Sequence, residues 1–195
     1  KEVGKNRMAI VSDWSGEQAE KIIRVESYDI AHMSGQDMVG VMCVSTDGEF
    51  DKSQYRKFII QDYDRSNDTG ALTEVLKRRF AHPEWKMPDV VIIDGGQAQI
   101  NAASNTISAI FRGFEYNGFG ALAPYVIAVV KDDAHKAREV LYAEQDEVFI
   151  NSVATMISKE EIIKLNAETH RFAITFHKKK RGESFLPKSP KKKKP

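Results

Sequence analysis

The chain has 195 residues, 42% of them hydrophobic, and a formal net charge of +1. That length suits one folded unit with a substantial core, and neither an apolar run of the ~18 residues a membrane helix needs nor a signal-peptide pattern at residues 1–5 is present. A single cysteine, Cys43, excludes a disulfide framework and a zinc cluster and fits a reducing, cytoplasmic compartment.

Residues 1–20 carry no sustained period, contain Gly4 and Gly16, and read as a linker or the end of a preceding segment; a chain that opens on Lys1 is expected to be a piece of a longer one. From residue 21 the composition shifts to valine, isoleucine, phenylalanine and tyrosine. Strands are predicted at 22–32, 38–45 and 50–60, separated by Ser34-Gly35 and Asp47-Gly48, which makes a three-stranded antiparallel meander. Ala71, Leu72, Val75, Leu76 and Phe80 then fall on one helical face, with Asn67 or Asp68 as N-cap and His82-Pro83 closing the segment. Residues 90–93, Val-Val-Ile-Ile, form a short continuous apolar run of the kind buried on both faces, ended by Asp94-Gly95-Gly96. A helix over 97–111, a buried strand over 125–130 stopping at Lys131, a hairpin over 140–150 and a final helix over 158–178 complete the body. From residue 178 onward there are nine lysines and arginines against one glutamate, which leaves 20 basic and 27 acidic residues in the first 177. An acidic body argues against nucleic-acid binding over the whole surface, whereas a basic tail over 182–195 can neutralise phosphates or be a solvated, disordered terminus.

Three antiparallel strands, then helix, strand, helix and strand, make an α/β domain with a mixed sheet, antiparallel first and parallel after, and helices on both faces. The order is similar to the ribonuclease-H-like fold, with the domain expected over 21–181.

Asp29 interrupts the apolar run of the first strand, where a charge is costly unless compensated, and Asp94 ends the 90–93 strand. If the two strands are parallel neighbours, their carboxylates converge at one sheet edge, and carboxylates bind hard cations such as Mg2+ or Mn2+ that assist phosphodiester cleavage. A helix cap for Asp94, and a salt bridge from Asp29 to Arg24 or Lys21, are the alternatives. On the last helix Ile163, Ala167, His170, Ile174 and His177 share a stripe expected to face the protein, while Glu168 points elsewhere. His170 there is a core residue, a proton-transfer group or a metal ligand. Asp68 is a helix cap or a further metal-site candidate. The Lys77, Arg78 and Arg79 cluster is a solvated face or a phosphate contact, and Lys131 stands at a strand end beside the expected site.

Several motifs in one order resemble the UvrC endonuclease domain. They are the segment 24–35, RVESYDIAHMSG; Tyr55-Arg-Lys-Phe58; Asp68 with Glu74-Val-Leu-Lys-Arg-Arg-Phe80; Pro88-Asp-Val-Val-Ile-Ile-Asp-Gly-Gly96; and Glu168-Thr-His-Arg-Phe-Ala-Ile174 leading to His177-Lys-Lys-Lys-Arg181. The resemblance covers about residues 21–181. It implies catalytic and metal-binding roles for Asp29, Asp94 and His170, a further catalytic role for Asp68, and Mg2+ or Mn2+ as cofactor. It also implies hydrolysis of a DNA phosphodiester bond on the 5′ side of a lesion, on damaged double-stranded DNA, by a monomer handed its substrate by a UvrB-like partner and, indirectly, a UvrA-like loader. Arg24, Lys131, Lys178, Lys179, Lys180 and Arg181 are the expected phosphate contacts. After Asp-Gly-Gly this chain has Gln97-Ala98-Gln99 where the family usually has Lys-Gly-Gln, one basic residue fewer. The family's GIY-YIG nuclease and paired helix-hairpin-helix module do not fall within these residues, and the lysine-rich tail is expected to substitute in part for the latter. The rival readings are an endonuclease-V-like repair nuclease and a catalytically silent DNA-binding or scaffold module.

Overall fold

The computed structural model describes residues 10–12, 18–20, 22–32, 38–61, 67–116, 123–131 and 138–184, with side chains described over 22–32, 38–61, 67–112, 123–130 and 139–175. Two short strands, β1 (Ile10–Ser12) and β2 (Gln18–Glu20), pair antiparallel within the segment expected to be a linker. Three-residue strands are too short to show a period, which is why the sequence does not announce them.

The main sheet holds β3 (Arg24–His32), β4 (Met38–Thr46), β5 (Glu49–Phe50), β6 (Arg56–Ile59), β7 (Val90–Asp94), β8 (Tyr125–Lys131) and β9 (Arg138–Tyr142). Its order is β5-β4-β3-β7-β8-β9, with β6 also pairing β4. β3 lies antiparallel to β4 and parallel to β7, β7 is parallel to β8, and β9 returns antiparallel to β8. This is the mixed ribonuclease-H-like sheet anticipated from the order of elements.

Two details differ. The expected third strand is split into β5 and β6 by a 3-10 turn at Lys52–Gln54, because the Asp51 side chain caps it by accepting from Ser53 N. The expected hairpin over 140–150 is instead β9 followed by helix α3 (Glu147–Met156), begun by Asp146, whose carboxylate accepts from Phe149 N. A good N-cap outweighs the strand preference of Val148-Phe149-Ile150.

Helices α1 (Asp68–Phe80) and α2 (Gln97–Tyr116) cover one face of the sheet, and α3 and α4 (Lys159–Ser184) the other. The central strands serve both faces by alternation: Val91 and Ile93 pack with Leu72, Leu76, Ile100 and Ile107, while Val90 and Ile92 pack with Val153, Ile162 and Leu165. The five apolar residues that predict α1 are all buried. α1 lies against Gly40, where a Cβ would run into Val75 Cγ2, so only glycine permits the close approach. Cys43 is fully buried between the sheet and α4, and burial pushes its thiol up to about 12. Among the described residues no helix is long and apolar enough to cross a membrane.

A buried ionic knot fastens α1 to β3. The Glu26 carboxylate, wholly inaccessible, accepts from Arg79 Nε and Nη2, from Arg24 Nε and Nη2, and from Tyr28 Oη at 2.6 Å. Arg79 also donates to the Lys86 carbonyl, which ties the chain leaving α1 to the same point. The reading of 77–79 as a solvated or phosphate-contacting cluster is thus corrected for Arg79, which is fully buried. Removing one member of such a group strands the others in a dry interior. Glu26→Ala is expected to cost about 3–5 kcal/mol in urea unfolding, and an unchanged unfolding midpoint would show that the knot does not hold α1.

Candidate metal centre

The register of β3 on β7 sets Val25 opposite Val90 and Tyr28 opposite Ile93, so the next residues along, Asp29 and Asp94, lie side by side. Both carboxylates fall on the face crossed by α4. Gly95 follows with φ of +149°, a conformation in which a Cβ would meet Gln99 Cγ at 2.8 Å, and its N–H donates to the Val129 carbonyl. The turn therefore closes sharply onto β8. The Gly96 N–H is met by Gln99 Oε1, and Asp94 turns instead toward α4, so the helix-cap account of Asp94 does not apply.

His170 brings the third ligand atom. Its Nδ1 stands 3.0 Å from Asp29 Oδ2 and 3.8 Å from Asp94 Oδ2. The Asp29 and Asp94 side chains are 11% and 19% exposed and that of His170 42%, so the cluster is walled by protein but open to solvent along the helix. One ligand atom from each residue lies within 4.8 Å of the others. The two carboxylates at that spacing suit a hard divalent cation such as Mg2+ or Mn2+, the imidazole adds a borderline nitrogen donor of the kind transition metals accept, and no rearrangement of the backbone is needed to gather them.

Asp68 approaches from the other side of the sheet edge. Asn67, not Asp68, caps α1, accepting from Gly70 N. Asp68 Oδ1 sits 2.9 Å from His32 Nε2, and with Asp94, Tyr28 and Gln99 it lines a cavity of about 40 Å³, room for a water or a small ion. It is not one of the three converging ligands.

Of the expected phosphate contacts, Arg24 is corrected: it is 5% exposed and spends its guanidinium on Glu26 and Gln54, which also rules it out as the salt-bridge partner of Asp29. Lys131 ends β8, and Lys178, Lys179, Lys180 and Arg181 continue α4 beyond His170; their side chains, and that of His177, lie outside those described. Lys21 and the tail from 185 on are outside the described residues altogether.

The buried stripe of α4 is Ile162, Leu165, Asn166, Thr169 and Ala173, not the series through Ala167 and Ile174, which are exposed. His170 borders that stripe. Asn166, 1% exposed, is missed by sequence reasoning; a signal exists in its place one turn before His170, but an asparagine hides a stripe sought by hydrophobicity. Its Nδ2 lies 3.3 Å from Asp94 Oδ1. Glu168, as expected, faces away from the aspartates, toward Tyr55 and a two-pronged contact from Arg171. Those hydrogen bonds hold its carboxyl below the usual carboxylate range against the opposing effect of burial.

A family model described as the UvrC RNase H endonuclease domain matches residues 17–174. A protein named UvrABC system protein C from Caldicellulosiruptor saccharolyticus is 37% identical over 162 residues, covering 82% of this chain and 25% of its own length. Its namesake in Thermoanaerobacter pseudethanolicus is 38% identical over 182 residues, covering 83% and 27%. The chain thus spans about a quarter of the length of the curated relatives it matches. Among solved structures, that of human ENDOV superposes with a TM-score of 0.53 over 88% of this chain and 93% of that one at 9% identity, a likeness of fold alone.

The Glu168–Arg171 contact has a pH signature. A carboxyl lowered on folding stabilises above its unfolded pKa and loses that contribution as pH falls through the folded one. Glu168→Gln is expected to lower Tm at pH 7, with the gap to the parent protein closing as pH drops through about 4.3 and below. Calorimetry across that range checks it, and a gap independent of pH would refute the assignment.

Proposed function

The chain belongs to the UvrC ribonuclease-H endonuclease domain family, and from that premise we propose that it is a metal-dependent DNA endonuclease of nucleotide excision repair that hydrolyses a phosphodiester bond on the 5′ side of a lesion. The observation that carries the reading is the convergence of Asp29, Asp94 and His170 at the ends of the central strands. These three residues would hold Mg2+ or Mn2+, with Asp68 as an auxiliary acid across the sheet edge. When bound, such an ion supplies Lewis-acid polarisation of the phosphoryl group and offsets charge on the leaving oxygen.

The protein's own part follows from the geometry. Asp29 and Asp94 concentrate negative charge on strands that cannot shift relative to each other. The Asp29 carboxylate, 3.0 Å from His170 Nδ1, orients the ring, and the ring's exposure would let it meet water and a scissile phosphate, where an imidazole serves either as a ligand to the ion or as the group that takes up or returns a proton. Lys131 and the α4 extension carrying Lys178, Lys179, Lys180 and Arg181 are the proposed phosphate contacts. The latter begin eight residues past His170, about 12 Å along the axis, so they would meet the duplex backbone away from the cut. The nuclease body is taken as 21–181, after a preceding segment at 1–20 and before a basic tail at 182–195. Substrate is damaged double-stranded DNA presented by a UvrB-like partner, with a UvrA-like loader acting earlier, and the protein acts as a monomer in the cytoplasm.

Nicking of lesion-containing, undamaged and inosine-containing duplexes, with Mn2+ or Mg2+ and with or without UvrB-like and UvrA-like partners, tests the reading. Asp29→Ala is expected to abolish nicking of the lesion duplex and His170→Ala to slow it about 10²–10⁴-fold. Preference for inosine would favour an endonuclease-V-like activity, and no nicking by the parent with partners present would leave a silent DNA-binding module. Deletion of residues 188–195, which hold five lysines, is expected to flatten the salt dependence of DNA binding by up to about 0.9 in log–log slope for each phosphate that is no longer neutralised. An unchanged slope would remove the tail from the DNA interface.

A further inference from the structure

Asn166 lies one helical turn before His170, inside the protein, with Nδ2 3.3 Å from Asp94 Oδ1. Its own Oδ1 is buried with no hydrogen-bond partner among the described residues. The opposite orientation of the amide would set its carbonyl oxygen against a carboxylate oxygen, so electrostatics favour the one in which Nδ2 faces Asp94. A buried amide whose carbonyl oxygen has no partner is a poor choice for stability, since an aliphatic side chain would fill the stripe between Ile162, Leu165 and Ala173 without a desolvated carbonyl. What the asparagine does supply is a donor to one oxygen of Asp94. With Oδ1 engaged by α4, the carboxylate is held with Oδ2 on the His170 side, 3.8 Å from Nδ1.

We propose that Asn166 is a positioning residue for the cation site: its amide fixes the Asp94 carboxylate so that the second oxygen is presented together with Asp29 and His170. The inference rests on reading that cluster as a divalent-cation site. Groups that orient a metal ligand from behind govern affinity although they never touch the ion. The cost in stability of the unmet Oδ1 is what the site exacts from the fold.

The test is Mn2+ titration of the 195-residue chain, read from the electron paramagnetic resonance signal of the free ion, beside Asn166→Leu and Asn166→Ala, with thermal melting in the absence of metal. The expected result is Mn2+ affinity about 10–100-fold weaker in both variants, with the melting temperature of the leucine variant at or above that of the parent. A role in packing alone would give the reverse, a lower melting temperature and Mn2+ affinity within about twofold of the parent in every variant that folds, and that outcome overturns the proposal. A parent chain that binds no Mn2+ would instead remove the cation-site reading beneath it, so the two failures are told apart.

Discussion

Everything at the candidate centre depends on the parallel register of β3 on β7. Side chains alternate between faces with a period of two, so a slip of one residue would send Asp94 to the α1–α2 side while Asp29 stayed under α4. Two features forbid the slip. Val90 and Ile92 belong to one core and Val91 and Ile93 to the other, so both faces of β7 specify the same alignment. At the entry to β7, Asp89 Oδ2 accepts from Arg24 N, Asp89 N donates to the Arg24 carbonyl, and the Asp89 carbonyl accepts from Tyr125 N. One residue thereby pins three strands at the end opposite the site.

β3 also carries two acids that illustrate how a structural carboxylate differs from a chemical one. Glu26 and Asp29 are three residues apart and so face opposite sides of the sheet. Glu26 is enclosed by two guanidiniums and a phenol and has no access to solvent, an arrangement that contributes definition to the fold more than net stability. Asp29 is nearly as buried but shares its charge with a half-exposed imidazole and a second carboxylate. Two carboxylates and one imidazole gathered at the half-open ends of the central strands make a donor set of the kind a divalent cation takes, whereas Glu26 has only protein donors around it.

The legible parts of the sequence are those written in short-range pattern. The 90–93 run announces a strand buried on both faces, the α1 stripe reads residue for residue, and Asp29 and Asp94 stand out because each breaks or ends an apolar run. The ordered motifs add the family. Long-range polar pairing is not legible: Arg79 meets Glu26 across 53 positions, and nothing local distinguishes it from its neighbours Lys77 and Arg78. Arg24 is misplaced for a different reason. Residues two apart on a strand share a face, so its proximity to Glu26 is readable, but its nearness in sequence to Asp29 points to the wrong partner. On α4 the polar residues Asn166 and Thr169 occupy buried positions, and a search for apolar periodicity therefore settles on a stripe rotated away from the true one.

That rotation reflects how α4 is built. Ile162 and Leu165 sit over Val25, Ile92 and Ile127, where the strands are apolar, while Asn166 and His170 sit over the strand ends, where the acids are. The helix changes from core element to site element within two turns, and the same packing that buries its first half sets the height and rotation of the second. Two of the three candidate ligands are fixed to each other by the sheet, but the backbone of the third is placed by the α4 packing, and its ring then meets Asp29 directly. A change among Ile162, Leu165 and their strand neighbours therefore moves His170 relative to Asp29 and Asp94 without touching any of the three, whereas a change in the α1–α2 core leaves that distance to the sheet alone.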